Sequence, residues 1–262
     1  MKIIAKKSLG QNFLFDKNII KMIVDCTKIE NKNILEIGPG TGNLTKEIIK
    51  KKPKKILLIE KDTNLLDLLK KQYSENIIFI NKDVLKINEN FLSKEKLVVF
   101  GNLPYNISTE ILIKWILNLG SKVWFEKLIL MFQKEVADRI ISKFNTSTYG
   151  RLSIMCNWRL NIKKVIDIKP NSFRPKPRVD SSLLIFTPKE EFFKLNSPKT
   201  IEKITRIFFN QKRKKIKKSF NLLFNNADIV AEKLQIDLNL RPQNLNYKDY
   251  YLIAKEFENL RN

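Results

Sequence analysis

The sequence predicts an α/β fold, a mostly parallel sheet wound with helices on both sides, followed by a small α-helical domain. Three observations predict it. Short apolar runs alternate with segments of helical periodicity from residue 17 to residue 141, the pattern of strands joined by crossover helices. A glycine-rich loop, Gly38-Pro39-Gly40-Thr41-Gly42, directly follows the first of those runs and opens a helix. After Pro188 the composition changes, and residues 199–262 carry helical patterning without a clear strand. The domain boundary is placed near residue 190, giving an α/β domain over 1–190 and a helical domain over 191–262.

The elements follow in order. Asp16 is placed to N-cap a helix that carries Ile19, Ile20, Ile23 and Val24 on one face. Residues 33–37 read as the first strand. A helix with Leu44, Ile48 and Ile49 comes after the glycine loop, and Pro53 closes it. Residues 56–59 form the second strand, ending at Glu60-Lys61-Asp62, and Leu65, Leu66, Leu68 and Leu69 mark the next helix. Residues 77–80 form a third strand ending near Asp83, 97–101 a fourth and 128–132 a fifth. Ile107, Ile111, Leu112 and Trp115 recur at helical spacing, as do Val136, Ile140 and Ile141. Two strand-like stretches flank residue 160, and residues 181–186 are the last strand. These late strands lack a crossover helix, so an antiparallel edge is expected.

Composition narrows the function. At 262 residues with 43% hydrophobic content, the chain can bury a sizeable core. Its formal charge of +23 favours a polyanionic partner through counterion release and steering. With no histidine, His-based triads, His general bases and His-ligated metals are excluded. Cys26 and Cys156 form no CxxC motif and suit a reducing, cytoplasmic setting. No apolar run approaches the ~18 residues of a membrane span. The first seven residues lack the long apolar core of a signal peptide.

Two stretches carry chemistry. Glycines at 38, 40 and 42 permit φ > 0 and close approach of backbone to a ligand. Their spacing is GxGxG, whereas the pyrophosphate of a nicotinamide dinucleotide wants GxGxxG at a helix start. Glu60 ends the second strand, where a carboxylate can accept both ribose hydroxyls of an adenosine moiety. Asp83 ends the third and can accept from an adenine amino group. Asn102-Leu103-Pro104-Tyr105 ends the fourth strand, where open α/β sheets bind ligands. An amide acceptor, a turn-fixing proline and an aromatic ring suit a planar base with an exocyclic amino group. Together the two stretches point to methyl transfer to a nucleobase.

Four segments resemble the ribosomal RNA adenine N6-dimethyltransferases, class I S-adenosylmethionine-dependent enzymes. They are Ser8–Leu14, Glu36–Asn43, Phe100–Ser108 and Phe173–Ser182, in the family's order. The resemblance implies a Rossmann-like methyltransferase domain with a seven-stranded sheet. It implies that Asn12 and Leu14 close over the cofactor, that Gly38 contacts its methionine part with Glu36 and Gly40 in the same cradle, that Glu60 binds the ribose, and that Asp83 lies at the adenine ring. It puts Asn102 where cofactor and target base meet. The implied substrate is a pair of adjacent adenosines near the 3′ end of small-subunit rRNA within the 30S subunit. The implied protein is a cytoplasmic monomer acting in ribosome biogenesis, without metal or membrane.

The chemistry is consistent with that. A sulfonium is already a strong methyl donor, so the obstacle is the adenine N6 lone pair, delocalised into the ring. The Asn102 side-chain oxygen, helped by the Leu103 or Pro104 carbonyl, is assigned to accept from the N6 hydrogens and favour a pyramidal nitrogen. Tyr105 is assigned to stack on the flipped base, with Phe173 on its other face. Without histidine, no activity edge set by imidazole near pH ~6.5 is expected. Arg174, Lys176 and Arg178, and the run Lys212–Lys218 with Ile216 and Phe220 at i, i+4, are assigned to phosphates. The competing readings are a large-subunit rRNA methyltransferase of the antibiotic-resistance type, a catalytically silent ribosome-assembly factor, and a dehydrogenase.

Overall fold

A computed structural model describes residues 5–6, 9–73, 76–120 and 123–260. The signal-peptide reading of residues 1–7 therefore falls mostly, and Ser8 wholly, outside the described residues. The chain divides into two compact units. The first comprises Met1–Trp115, Leu119–Ala137 and Ile162–Pro188; the second Ile116–Asn118, Asp138–Asn161 and Lys189–Asn262.

In chain order the first unit begins with β1 (Phe13–Leu14), α1 (Lys17–Asp25), β2 (Asn33–Ile37), α2 (Asn43–Lys50), β3 (Lys55–Ile59), α3 (Thr63–Gln72) and β4 (Ile77–Ile80). It continues with β5 (Leu97–Gly101), most of α4 (Ser108–Leu117) and β6 (Phe125–Gln133). Next come the start of α5 (Lys134–Ile140), then, beyond α6 (Arg151–Arg159), most of β7 (Leu160–Ile168), β8 (Phe173–Arg174) and β9 (Ser181–Pro188). Seven strands form one sheet in the order β4-β3-β2-β5-β6-β9-β7, and β1 and β8 pair as a small antiparallel ribbon. β4 through β6 run parallel, and β9 is antiparallel to β6. The fold is thus the expected α/β architecture, a mostly parallel seven-stranded sheet, with antiparallel β9 set inside the sheet rather than at its edge.

β2 and β5 are buried along their whole length; β5 accordingly reads as a continuous apolar run, while β2 carries Asn33 and Glu36 into the interior. Their neighbours set the site. The chain steps from β2 outward to β3 and β4, then returns to the other side of β2 as β5, so the topological switch lies between β2 and β5. Ile37 pairs with Ile59 on one side and Gly101 on the other. The residues that follow, Gly38, Glu60 and Asn102, therefore leave the sheet side by side.

The second unit holds α6, then α7 (Pro198–Phe209), α8 (Lys217–Asn221), α9 (Ala227–Lys233) and α10 (Tyr247–Asn259). Its core is aromatic: Phe208, Phe220 and Tyr250 are fully buried and meet edge to face. Glu258 of α10 ties down the start of α7, accepting from the Asn196 and Ser197 N–H groups at 2.7 and 2.9 Å and from Thr200 at 2.8 Å.

Three expectations change. The stretch before residue 160 is a helix, α6, not a strand. Leu152, Ile154, Met155, Cys156 and Trp158 are all buried, and a helix buried nearly all round has no periodicity to separate it from a strand. Residues 138–161 lie in the second unit, although they precede residue 190 in the chain. Tyr149 packs on Phe209 and Tyr247, the Trp158 indole donates to the Phe193 carbonyl at 2.7 Å, and the Tyr251 hydroxyl donates to the Ile154 carbonyl at 3.1 Å. Finally, Lys212–Lys218 is mostly a turn, with α8 starting only at Lys217. Ile216 and Phe220 are nevertheless both fully buried and anchor it.

Candidate active site at the switch point

One cavity opens at the carboxyl ends of β2, β3 and β5. Asn12, Leu14, Glu36, Gly38, Gly40, Glu60, Asp83, Asn102, Leu103, Pro104 and Tyr105 all line it. The cradle depends on glycine at two places. Gly38 has φ +64°, and its N–H donates to the Ile59 carbonyl at 2.9 Å. Gly40 has φ +58°, and a Cβ there would meet the Phe13 ring at 2.8 Å.

Three carboxylates differ in environment. Glu60 is buried and accepts the Gly40 and Asp62 N–H groups at 3.3 and 2.9 Å. Burial raises its pKa against those bonds. Glu36 is more extreme: burial pushes it up to about 8, although the Thr45 hydroxyl donates to it at 2.7 Å, and nearby Glu60 adds to the rise. Asp83, in contrast, is held below the usual carboxylate range, chiefly by Lys61 at 2.9 Å.

The Asn102 side-chain Nδ2 donates to the Asn12 carbonyl at 2.7 Å. That bond sets the amide's orientation and leaves Oδ1 without a partner among the described residues. The Pro104 carbonyl accepts the Ile107 N–H at 3.1 Å, so the Leu103 carbonyl is the freer of the two acceptors. The Tyr105 hydroxyl is hydrogen-bonded to Ser181 Oγ at 2.5 Å, which fixes the edge of a ring that lines the cavity.

A family model described as ribosomal RNA adenine dimethylase matches residues 4–259. The chain belongs to that family. It is 63% identical over the full length of both chains to ribosomal RNA small subunit methyltransferase A of Pelagibacter ubique (strain HTCC1062). It is 40% identical to the protein of the same name from Wolbachia sp. subsp. Drosophila simulans (strain wRi), covering 97% of this chain and 93% of that one. Among solved structures, a dimethyladenosine transferase from Plasmodium falciparum superposes with TM-score 0.78 at 28% identity, over 94% of this chain and 98% of that one. The 23S rRNA methyltransferase ErmE matches at TM-score 0.69 and 21% identity, a likeness of fold.

For a dimethylase the residues present fit S-adenosylmethionine. The Cβ-free cradle at Gly38 and Gly40 would admit close backbone contact, each Glu60 oxygen accepts one N–H bond and would have a lone pair to offer a ribose diol, and Asp83, which lines the cavity just past β4, would stand where an adenine amino group could reach it. Phe173 departs from expectation. It is 1% exposed, packed in the core with Leu14, Ile168 and Leu183, and does not line the cavity. Its pairing with Leu14 across the β1–β8 ribbon turns it inward, so it supports the cavity wall instead of stacking on a base. Sequence reasoning missed Ser181 behind Tyr105, Thr45 behind Glu36, and the contacts of Lys6 and Gln11. Their partners are remote in the chain, and no local pattern announces them.

Proposed function

We propose that this protein dimethylates N6 of two adjacent adenosines near the 3′ end of 16S rRNA, acting as a cytoplasmic monomer on the 30S subunit during its maturation. The enzyme is an S-adenosylmethionine-dependent rRNA adenine dimethyltransferase. The observation that carries the mechanism is the oriented amide of Asn102. When bound, the cofactor supplies an electrophilic methyl on a sulfonium. In the first transfer Asn102 Oδ1 and the Leu103 carbonyl accept the two N6 hydrogens, and in the second one of them accepts the hydrogen that remains; each draws the nitrogen towards sp³ geometry and exposes its lone pair, and the proton displaced by each methyl is lost to water. Tyr105 stacks on the extruded base and aligns it for in-line attack, and such positioning accounts for much of the acceleration. Glu60 and Asp83 fix the adenosine end of the cofactor, while Glu36, Gly38 and Gly40 hold the other end. Arg213, Lys214 and Lys218, exposed and without acidic partners among the described residues, contact phosphates.

The test is methyl transfer from labelled S-adenosylmethionine to unmethylated small and large subunits, with the modified nucleotides mapped. Dimethyladenosine in small-subunit RNA is the expected result. Label in large-subunit RNA alone would move the protein to the resistance type. Tight subunit binding without label would identify an assembly factor.

A further inference from the structure

We propose that Asp62 is a positioning residue for methyl transfer: it latches Lys6 and Gln11, and the latched run Leu9–Leu14 orients the amide of Asn102. The proposal rests on the reading of Asn102 as the acceptor for N6. Asp62 is 5% exposed. Its Oδ1 accepts from Lys6 Nζ at 2.9 Å and its Oδ2 from Gln11 Nε2 at 3.1 Å. Gln11 Oε1 in turn accepts the Lys6 N–H at 2.8 Å, closing a ring of three residues. One residue on from Gln11, the Asn12 carbonyl receives Asn102 Nδ2. Two further on, the Leu14 carbonyl receives Asn43 Nδ2 at 2.8 Å. These residues are thus held at three points: Asp62 beyond β3, Asn102 beyond β5 and Asn43 at the start of α2.

Asp62 also caps α3, its Oδ1 accepting the Asn64 N–H at 3.1 Å. A cap needs one acceptor, and Asn serves as well as Asp there. The second oxygen and the charge go to Gln11 and Lys6 instead. Burial opposes ionisation of this carboxyl, yet the bonds from Lys6 and Gln11 hold its pKa below the ordinary range. The Asp62 N–H donates to Glu60, so the latch also braces the carboxylate assigned to the ribose. Without the latch the Asn12 carbonyl is free to move, and Asn102 loses the bond that keeps its oxygen available.

Asp62→Asn keeps Oδ1 for the cap but removes the charge that holds Lys6 and replaces the oxygen that accepts from Gln11, so the latch is weakened at both partners. Lys6→Met weakens it from the other side, and Lys6→Arg restores the charge. The first readout is amide hydrogen exchange over residues 9–14 in the cofactor-free protein, where Asp62→Asn and Lys6→Met are expected to exchange about tenfold faster than wild type and Lys6→Arg at the wild-type rate. The second is the Asn102 side-chain amide resonance, assigned with Asn102→Ser, which is expected to lose its protection in the same two variants. The third is single-turnover methylation of small subunits, expected to slow about tenfold with KM for the subunit unchanged. Unaltered exchange in Asp62→Asn, or faster exchange with the Asn102 amide still protected, overturns the latch. Wild-type protein that methylates neither subunit overturns the functional reading, while the first two readouts still decide the latch.

Discussion

The switch point of the sheet and the Lys212–Lys218 turn are both polar regions, and they are built on opposite principles. At the switch point nearly every polar group is buried or half-buried and has a named partner: Glu36 with Thr45, Glu60 with two backbone N–H groups, Asn102 with Asn12, Tyr105 with Ser181. Along the turn the charges of Arg213, Lys214 and Lys218 stand in solvent, and only apolar Ile216 is buried. Buried groups have their orientation and ionisation fixed by neighbours, so each one is specific and each loss is abrupt. Exposed cations act through a summed field, so each is replaceable and each loss is gradual. Chemistry is assigned to the first region and capture of a polyanion to the second.

Three measurements break or sharpen this contrast. The largest effect is expected at Asn102. Asn102→Ala should lower methyl transfer by about 10³-fold while cofactor binding, followed by calorimetry, weakens only slightly. Complete loss of cofactor binding would make Asn102 a cofactor ligand and remove its catalytic assignment.

The next concerns Glu36, whose folded pKa lies near 8 against an ordinary 4.5. Between those values the folded protein keeps a proton that the unfolded chain releases, so stability falls as pH rises through that window. Glu36→Gln stays neutral and removes the slope. Relative to wild type it should gain roughly a few kcal/mol in urea unfolding at pH ~9 and little at pH ~4. Parallel curves for the two proteins would show that Glu36 is not buried as a neutral acid.

The smallest effect per residue is expected in the turn. Replacing Arg213, Lys214 and Lys218 together by Ala should raise KM for the subunit about tenfold and flatten the salt dependence by about two to three counterions, with kcat unchanged. A fall in kcat instead would mean that these cations orient the target as well as attract it.

Legibility in the sequence divided along the same line. Strands β2 to β5 were readable nearly to the residue, because short runs rich in Ile, Leu, Val and Phe recur between helical segments, even at β4 on the sheet edge where Ile78 is exposed. Glu60, Asp83 and Asn102 were readable as strand-end residues, because parallel α/β sheets put ligands there. The helix over 151–159 was not, because its burial on all sides erases the helical period. Phe173, which opens the fourth family-like segment, was assigned to the other face of the base, but pairing with Leu14 turns it into the core. Asp62 was visible only as the end of a strand, since its partners Lys6 and Gln11 lie more than fifty residues away.

The sequence by itself determined which chemistries were open: no histidine, an amide and an aromatic at one strand end, carboxylates at two others, and a surplus of cations. Tertiary structure alone decided the state of each group. Asn102 Oδ1 is available because a carbonyl 90 residues earlier takes the amide protons. Glu36 is pushed towards its neutral form because folding removes water from around it. Both facts depend on distance and dielectric in three dimensions, and those quantities exist only once segments remote in the chain have been brought together.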